Sequence, residues 1–394
     1  MDLSSDNCHR TWVEIDLDSI VHNVREFRGL LGENVSIMAV VKADAYGHGA
    51  AEISSTLLEA GVNSLGVAFL EEAIELRKAG IKVPVLMMGF TSPEEVDLLQ
   101  EYNLTPTVFS LEAAEALSKR AVQRDTSIPV HVKVDTGMGR IGFLPDKAPG
   151  YVKEIAHLPG LEIEGLMTHF AAADEEELDY THRQLEAFEG VLAGCREEGL
   201  EPSVIHAANS AAAIRLPQSH YRMVRLGLSL YGHYPSGTVK ERAGVHLKPA
   251  LTFKSRVISV KKVPAGTCVS YGCSYRTGSE ASIATVPVGY ADGFNRLLSN
   301  RGEVLIRGKR LPVVGKVCMD FIMVDVTQVE GIREGDEVVI YGKQEEEEIS
   351  VDDVAQLLET IPYEVLCAIN KRVPRLYYRH GSLVSYTDLL GKEL

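Results

Sequence analysis

Lys42 directly follows the short apolar run 36–41, in the segment Lys42-Ala-Asp-Ala-Tyr46-Gly-His-Gly. Four more such runs end the same way. Asp135-Thr-Gly-Met-Gly-Arg140 follows 130–134, Thr168-His169-Phe170 follows 163–167, Asn209-Ser210 comes soon after 204–206, and Arg225-Leu-Gly227-Leu228 closes 223–225. A lysine amine adds to carbonyls, an arginine grips carboxylates, and a histidine moves protons near neutral pH. A serine hydroxyl at a helix start, beside glycine amides, suits a phosphate. A lysine facing such a site suggests a Schiff base to a phosphorylated aldehyde. Taken singly, each residue has an ordinary reading, such as a surface lysine or a salt-bridged arginine. Their joint placement at run ends sets them apart.

The elements that must position them follow a rhythm. Eight apolar, β-branched runs occur at 36–41, 64–68, 85–88, 105–109, 130–134, 163–167, 204–206 and 223–225. Segments with helical spacing lie between most of them, at 51–60, 71–79, 111–121 and 180–195. Strands alternating with helices predict parallel units, and eight of them predict a β/α (TIM-like) barrel with its active site where strands end. A preceding amphipathic helix over 19–31 lines up Ile20, Val24, Phe27 and Leu31. After residue 245 the pattern becomes strand and turn, at 251–263, 267–271, 283–288, 303–306, 313–326 and 337–341. Helices return at 351–359 and 363–369, and the acidic run 345–348 reads as a solvated loop. The expectation is an α/β chain with a barrel over 17–245 and a mostly β domain over 246–394, joined by a strand over 10–16.

Bulk properties narrow the function. The 394 residues carry a net charge of −15, which repels phosphates and argues against nucleic acid or an anionic membrane as partner. Cys8, Cys195, Cys268, Cys273, Cys318 and Cys367 are scattered without a C-x-x-C pair, the pattern of reduced thiols. Asp2, Asp6, Glu14 and Asp16 and the lack of an apolar run near the start argue against a secretory leader, and no stretch is long enough for a membrane span. A cytoplasmic protein without a metal is expected. Gly137-Met-Gly139-Arg-Ile-Gly142 spells a dinucleotide fingerprint, but Pro145 stands where the phosphate-binding helix should run.

Beyond these separate signals, Ala39-Val-Val-Lys42-Ala-Asp-Ala-Tyr46-Gly-His-Gly resembles the pyridoxal-phosphate attachment motif of alanine racemases. Trp12-Val-Glu-Ile-Asp16, Val134-Asp-Thr-Gly-Met-Gly-Arg140, Arg225-Leu-Gly-Leu-Ser-Leu-Tyr231-Gly and Val269-Ser-Tyr271-Gly continue the likeness. Val286-Pro-Val-Gly-Tyr290-Ala-Asp-Gly, Val317-Cys-Met319-Asp320 and Pro362-Tyr363-Glu extend it over nearly the whole chain. The resemblance implies that Lys42 carries pyridoxal phosphate, with Tyr46, Ser210, the Gly227 and Leu228 amides and Tyr363 on its phosphate. It implies that Arg225 faces the pyridine nitrogen and that His169 supports Arg225 and Tyr271. Arg140 and the Met319 backbone would receive the substrate carboxylate, and Tyr290 and Tyr363 would narrow the entrance. Lys133 matches a position that some members carboxylate. Leu226 and Leu228 replace the Pro and Ile of many members, at positions where backbone makes the contact.

Racemisation needs acid/base groups on both faces of the substrate Cα. The resemblance assigns one face to Lys42 and the other to Tyr271 of a partner subunit, so it implies a homodimer with shared sites. A free tyrosine has a pKa of about 10, so ionising it near neutral pH takes neighbouring cations. An arginine opposite the pyridine nitrogen, where other enzymes place a carboxylate, weakens the electron sink and favours a racemase over most other uses of the cofactor; the resemblance implies that the substrate is alanine. Three alternatives are an amino-acid decarboxylase, a cofactor-carrying protein without catalysis, and a serine or broad-specificity racemase. The first would place an acid where Arg225 stands, and the second would lack the β domain with Tyr271 and Met319. Relatives of the third kind often carry an export signal.

Overall fold

The computed structural model describes residues 9–389. Cys8, Asp2 and Asp6 lie outside the described residues. The chain divides into two compact units: Ser19–Ala45 with Ala50–Pro249, and Met1–Asp18 with Tyr46–Gly49 and Ala250–Leu394. Strand β1 (Thr11–Asp16) belongs to the second.

In the first unit, the eight apolar runs become β2 (Ser36–Val40), β3 (Ser64–Val67), β4 (Val85–Met87), β5 (Thr105–Val108), β6 (Ile128–Lys133), β7 (Leu161–Met167), β8 (Val204–His206) and β9 (Met223–Leu226). Every ladder is parallel, neighbours in space are neighbours in sequence from β2 to β8, and β9 pairs with β2. Arg222 N donates to Ile205 O at 3.2 Å and Arg225 N to Ala208 O at 2.9 Å, which joins β9 to β8 and closes the barrel. A closed sheet has no edge to protect, and β3, β4 and β5 are buried throughout.

The helices are short-range products of their sequences. Ser110 caps Leu111–Gln123 by accepting from Ala113 N, and Ala114, Leu117, Ser118 and Ala121 form its buried stripe. Ser19 to Leu31 lie within the helix Leu17–Leu31, whose Ile20, Val24, Phe27 and Leu31 are buried. Each fully buried Leu, Ile or Phe contributes about 1.5–3 kcal/mol. Helices that spacing alone did not predict also appear, among them Val96–Glu101, Ala148–Ala156 and Gly237–Glu241.

The second unit continues with β10 (Leu251–Arg256), β11 (Ser259–Val263), β12 (Cys268–Val269), β13 (Tyr275–Arg276), β14 (Ala281–Val286), β15 (Glu303–Ile306), β16 (Lys309–Pro312), β17 (Ile322–Asp325), β18 (Glu337–Gln344), β19 (Glu347–Ile349), β20 (Arg375–Arg379) and β21 (Ser382–Thr387). One sheet runs β16-β15-β18-β10-β1-β20-β21 with β19 on β18; β11-β14-β17 and the hairpin β12-β13 stand apart. Here the chain departs from the apolar pattern. The run 251–263 breaks after Arg256 into strands of two sheets. Of 313–326 only β17 is a named strand; Val313, Val314 and Val317 are buried within loops. Burial, not strand formation, explains their apolarity. In the acidic run, Glu345 turns with φ 55°, and Glu347 starts β19 and pairs with Arg310. Among the described residues, no helix is long and apolar enough to cross a membrane.

Candidate active site

Lys42 is half-buried and opens one left-handed helical turn. Ala43, Asp44, Ala45 and Tyr46 hold φ of 52°, 56°, 52° and 54°. Left-handed backbone costs non-glycine residues about 1–2 kcal/mol each, so the surroundings must enforce it. Ala45 N donates to Val41 O at 2.9 Å, and Asp44 Oδ1 accepts from Ala50 N at 2.9 Å. Glu72 clamps the start, accepting from Ala43 N and Ala68 N at 2.7 Å each.

Lys133 ends β6, only 4 % exposed. Burial first, then the cations Arg225, Arg140 and Lys42, lower its pKa to about 8, with Asp135 opposing them. Asp135 accepts from Gly137 N, Gly139 N and Arg140 N at 3.0 Å each. Burial pushes its carboxyl upward, but these amides outweigh it and hold the pKa below the ordinary value. The glycine loop that spells a dinucleotide fingerprint is thus wrapped around the chain's own carboxylate.

Arg225 leaves β9 pointing into the barrel and is 4 % exposed. Its Nη1 meets His206 Nδ1 at 3.0 Å, and its Nη2 meets His169 Nδ1 at 3.1 Å. Nη2 also donates to Thr168 O at 2.8 Å and Ala207 O at 2.9 Å. An arginine offers only donors, so both imidazoles accept through Nδ1 and carry their proton on Nε2. Burial, followed by the charges of Arg225 and Lys133, keeps the pKa of His169 well below its ordinary value; burial and Arg225 do the same for His206. Burial alone brings Arg225 down to about 10, still a cation at neutral pH. The hydrogen-bonded row continues from His206 Nε2 to His131 Nδ1 at 2.8 Å and ends at the half-exposed Glu164, whose Oε2 is 3.3 Å from His131 Nε2.

Behind this row, Gln184 braces the strand ends: its Oε1 accepts from Ala171 N at 2.9 Å, and its Nε2 donates to His169 O at 3.2 Å. Ser210 opens the helix Ser210–Arg215, capped by Asn209, and its Oγ accepts from Gly227 N at 3.0 Å. Leu228 follows, fully buried.

The second unit holds the remaining predicted residues. The Tyr46 and Tyr363 rings lie 5.8 Å apart at 53°. Tyr271 stands on the turn between β12 and β13, 71 % exposed. Ser270 Oγ donates to Lys316 O at 2.6 Å, tying that turn to the loop of Met319. Gly289 crosses this loop so closely that a Cβ there would lie 2.3 Å from Met319 O, leaving room only for glycine. Tyr290 N donates to Cys318 O at 3.0 Å, and Arg372 links Asp292 to Asp320, at 2.8 Å each.

The barrel therefore gathers Lys42, Lys133, Arg140, His169 and Arg225 into one electrostatic group and places Ser210 against Gly227. His131, His206, Glu164 and Gln184 are added by the structure. A histidine inside an apolar strand was the available signal. The charges acting on Lys133 are the cations Arg225, Arg140 and Lys42 and the carboxylate of Asp135, which is already engaged by amides. That donor-rich set fits a phosphorylated cofactor and a substrate carboxylate. Among the described residues, no group of three or more His, Cys, Asp or Glu is placed to hold a metal ion.

Residues 15–235 match the model of the alanine racemase N-terminal domain and residues 250–377 that of the C-terminal domain. The chain is 46% identical over 386 residues to "Alanine racemase 2" of Caldanaerobacter subterraneus subsp. tengcongensis, covering 98% of this chain and 99% of that protein. The crystal structure of alanine racemase from Bacillus anthracis with bound L-Ala-P superposes with a TM-score of 0.93 at 39% identity, covering 97% of this chain and 98% of the other. A histidine racemase from Leuconostoc mesenteroides subsp. sake shares the fold at 28% identity with a TM-score of 0.87, over 94% of this chain and 98% of the other.

Proposed function

We propose that this chain, which belongs to the alanine racemase family, interconverts L- and D-alanine with pyridoxal phosphate. The reaction would supply D-alanine for peptidoglycan in the cytoplasm. The observation that carries the reading is Arg225: a buried guanidinium whose hydrogen-bond partners are all neutral, at the catalytic end of a barrel.

Pyridoxal phosphate, when bound, withdraws electrons from the substrate and acidifies its Cα proton. Lys42 would hold it through the ε-amine. Tyr46, Ser210, the Gly227 and Leu228 amides and Tyr363 would hold its phosphate. Arg225 stays a cation at neutral pH and would meet the pyridine nitrogen with donors only, which would leave that nitrogen unprotonated and the withdrawal moderate. Arg140, helped by the Met319 backbone, would orient the substrate carboxylate. Lys42 exchanges a proton at one face of Cα and Tyr271 at the other. His169, neutral with its proton on Nε2, offers a donor that favours the phenolate of Tyr271. The exposure of Tyr271 suits a residue supplied to the site of a second copy, which makes the working form a homodimer.

The test is purified protein given L-alanine and L-serine in parallel, with chiral analysis of products. D-alanine should form fastest. A dominant D-serine product points to the broad-specificity reading, and no racemisation with cofactor present overturns both.

A further inference from the structure

One guanidinium ties together the two segments that carry Tyr46 and Tyr363. Arg375 starts β20 and is 3 % exposed. Its Nε donates at 3.2 Å to the carbonyl of Gly47, the neighbour of Tyr46. Its Nη2 donates to Ile369 O at 2.9 Å, and its Nη1 to Asn370 O at 2.7 Å and Val373 O at 2.6 Å. Ile369 and Asn370 lie just past the helix Pro362–Cys367, which carries Tyr363. The two segments also meet through backbone. Gly47 turns with φ 81°, and a Cβ there would lie 2.5 Å from Leu366 O of the same helix. A guanidinium is planar, so its Nε and Nη donors keep fixed directions. Carbonyls bound around it keep a fixed separation, which the single ammonium of a lysine does not reproduce.

We propose that Arg375 is a positioning residue for the cofactor's phosphate: it clips the Tyr46 segment to the Tyr363 helix and so sets both tyrosines for one phosphate group. This rests on the reading that these two tyrosines hold the phosphate. The rings already stand side by side, with centroids 5.8 Å apart. Arg375 acts on them through the backbone of Gly47 and Ile369 and not by contact with the cofactor. Its effect should therefore appear only with a ligand that carries a phosphate. General loosening of the fold would weaken a ligand with or without one.

The experiment strips purified full-length enzyme of cofactor with hydroxylamine. It then titrates the protein with pyridoxal phosphate or with pyridoxal, which lacks the phosphate, following the absorbance of the bound aldehyde. Arg375→Lys should weaken pyridoxal phosphate roughly tenfold to a hundredfold, the worth of one hydrogen bond to a charged group, and leave pyridoxal unchanged. Gly47→Ala keeps Arg375 but drives the two segments apart, and it should give the same phosphate-selective loss. If Arg375→Lys does not fold, Gly47→Ala decides by the same two titrations. In a chain carrying both Tyr46→Phe and Tyr363→Phe, Arg375→Lys should cost nothing further. Parent-like affinity for pyridoxal phosphate in Arg375→Lys overturns the clip, and so does an equal loss for both aldehydes. If the two tyrosine variants bind pyridoxal phosphate as tightly as the parent, the phosphate reading falls and takes the clip with it. If they bind it weakly while Arg375→Lys does not, the clip alone falls.

Discussion

His206 accepts from Arg225 at 3.0 Å through Nδ1 and meets His131 at 2.8 Å through Nε2. The row has an obligate donor at one end and the Glu164 carboxylate at the other, so every proton along it is assigned. Removing a middle member strands a buried charge. His206→Phe should cost about 2–4 kcal/mol in urea unfolding, because Arg225 loses an acceptor it cannot replace with water. Glu164→Gln keeps an acceptor at the half-exposed end and should cost under about 1 kcal/mol. Equal losses for the two would contradict the directional row.

Acid should destabilise the protein through its buried neutral histidines. His233 is 3 % exposed, its Nε2 lacks a hydrogen-bond partner, and burial lowers its pKa to about 4. Below the unfolded value of about 6.5 the unfolded chain takes up a proton that the folded chain refuses, so stability falls as pH falls. The loss runs at about 1.4 kcal/mol per pH unit per histidine until the folded pKa is reached. His169 and His206 shift in the same direction and steepen it. Urea midpoints from pH 7 to pH 5 should drop, and His233→Gln should remove about one proton from the slope. A pH-independent midpoint would exclude this linkage.

The barrel was legible because each strand is a compact apolar run and each unit packs on the next. The candidate site was legible as far as it lies where runs end, which is where the structure places Lys42, Arg140, His169, Ser210 and Arg225. His131 and His206 were not, because their meeting depends on register across β6, β7 and β8. A register irregularity between Val130 and His131 sets one ring, and Gly165 opposite gives it room: a Cβ there would lie 2.6 Å from the imidazole. No local signal announces that. Nor does propensity announce four consecutive non-glycine residues at positive φ after Lys42.

That left-handed turn yields a stability prediction. Ala43 is exposed with φ 52°, so its side chain packs little while its backbone is strained. Ala43→Gly should be neutral to stabilising by up to about 1 kcal/mol, strain relief being partly offset by the freer unfolded chain. Ala43→Val should destabilise by more than about 1 kcal/mol. Thermal melts decide; a glycine variant clearly weaker than the parent would show that the turn is not strained.

Lys133 should capture carbon dioxide. A pKa of about 8 leaves roughly a quarter of the amines neutral at pH 7.5, against about one in a thousand for an ordinary lysine. The neutral nitrogen attacks carbon dioxide, loses its proton and becomes a carbamate, which replaces a crowded cation by an anion among Arg140, Arg225 and Lys42. Carbon-13 bicarbonate should give a carbamate resonance that Lys133→Ala lacks. No such signal at neutral pH would leave Lys133 a simple buried amine.

If Tyr271 serves the partner's barrel, complementation follows. Lys42→Ala and Tyr271→Phe homodimers should each be nearly inactive, whereas Tyr271→Phe should keep the cofactor's absorbance because Lys42 is intact. In a mixed dimer, the Tyr271→Phe chain supplies a barrel with Lys42, and the Lys42→Ala chain supplies an intact Tyr271. One of the two sites is then complete and the other lacks both groups. Random remixing of equal amounts makes half the dimers mixed, so activity should recover to roughly a quarter of the parent's. If both residues acted within one chain, every site would keep one defect and remixing would recover nothing. The recovered fraction therefore decides whether the exposed tyrosine works across the subunit boundary.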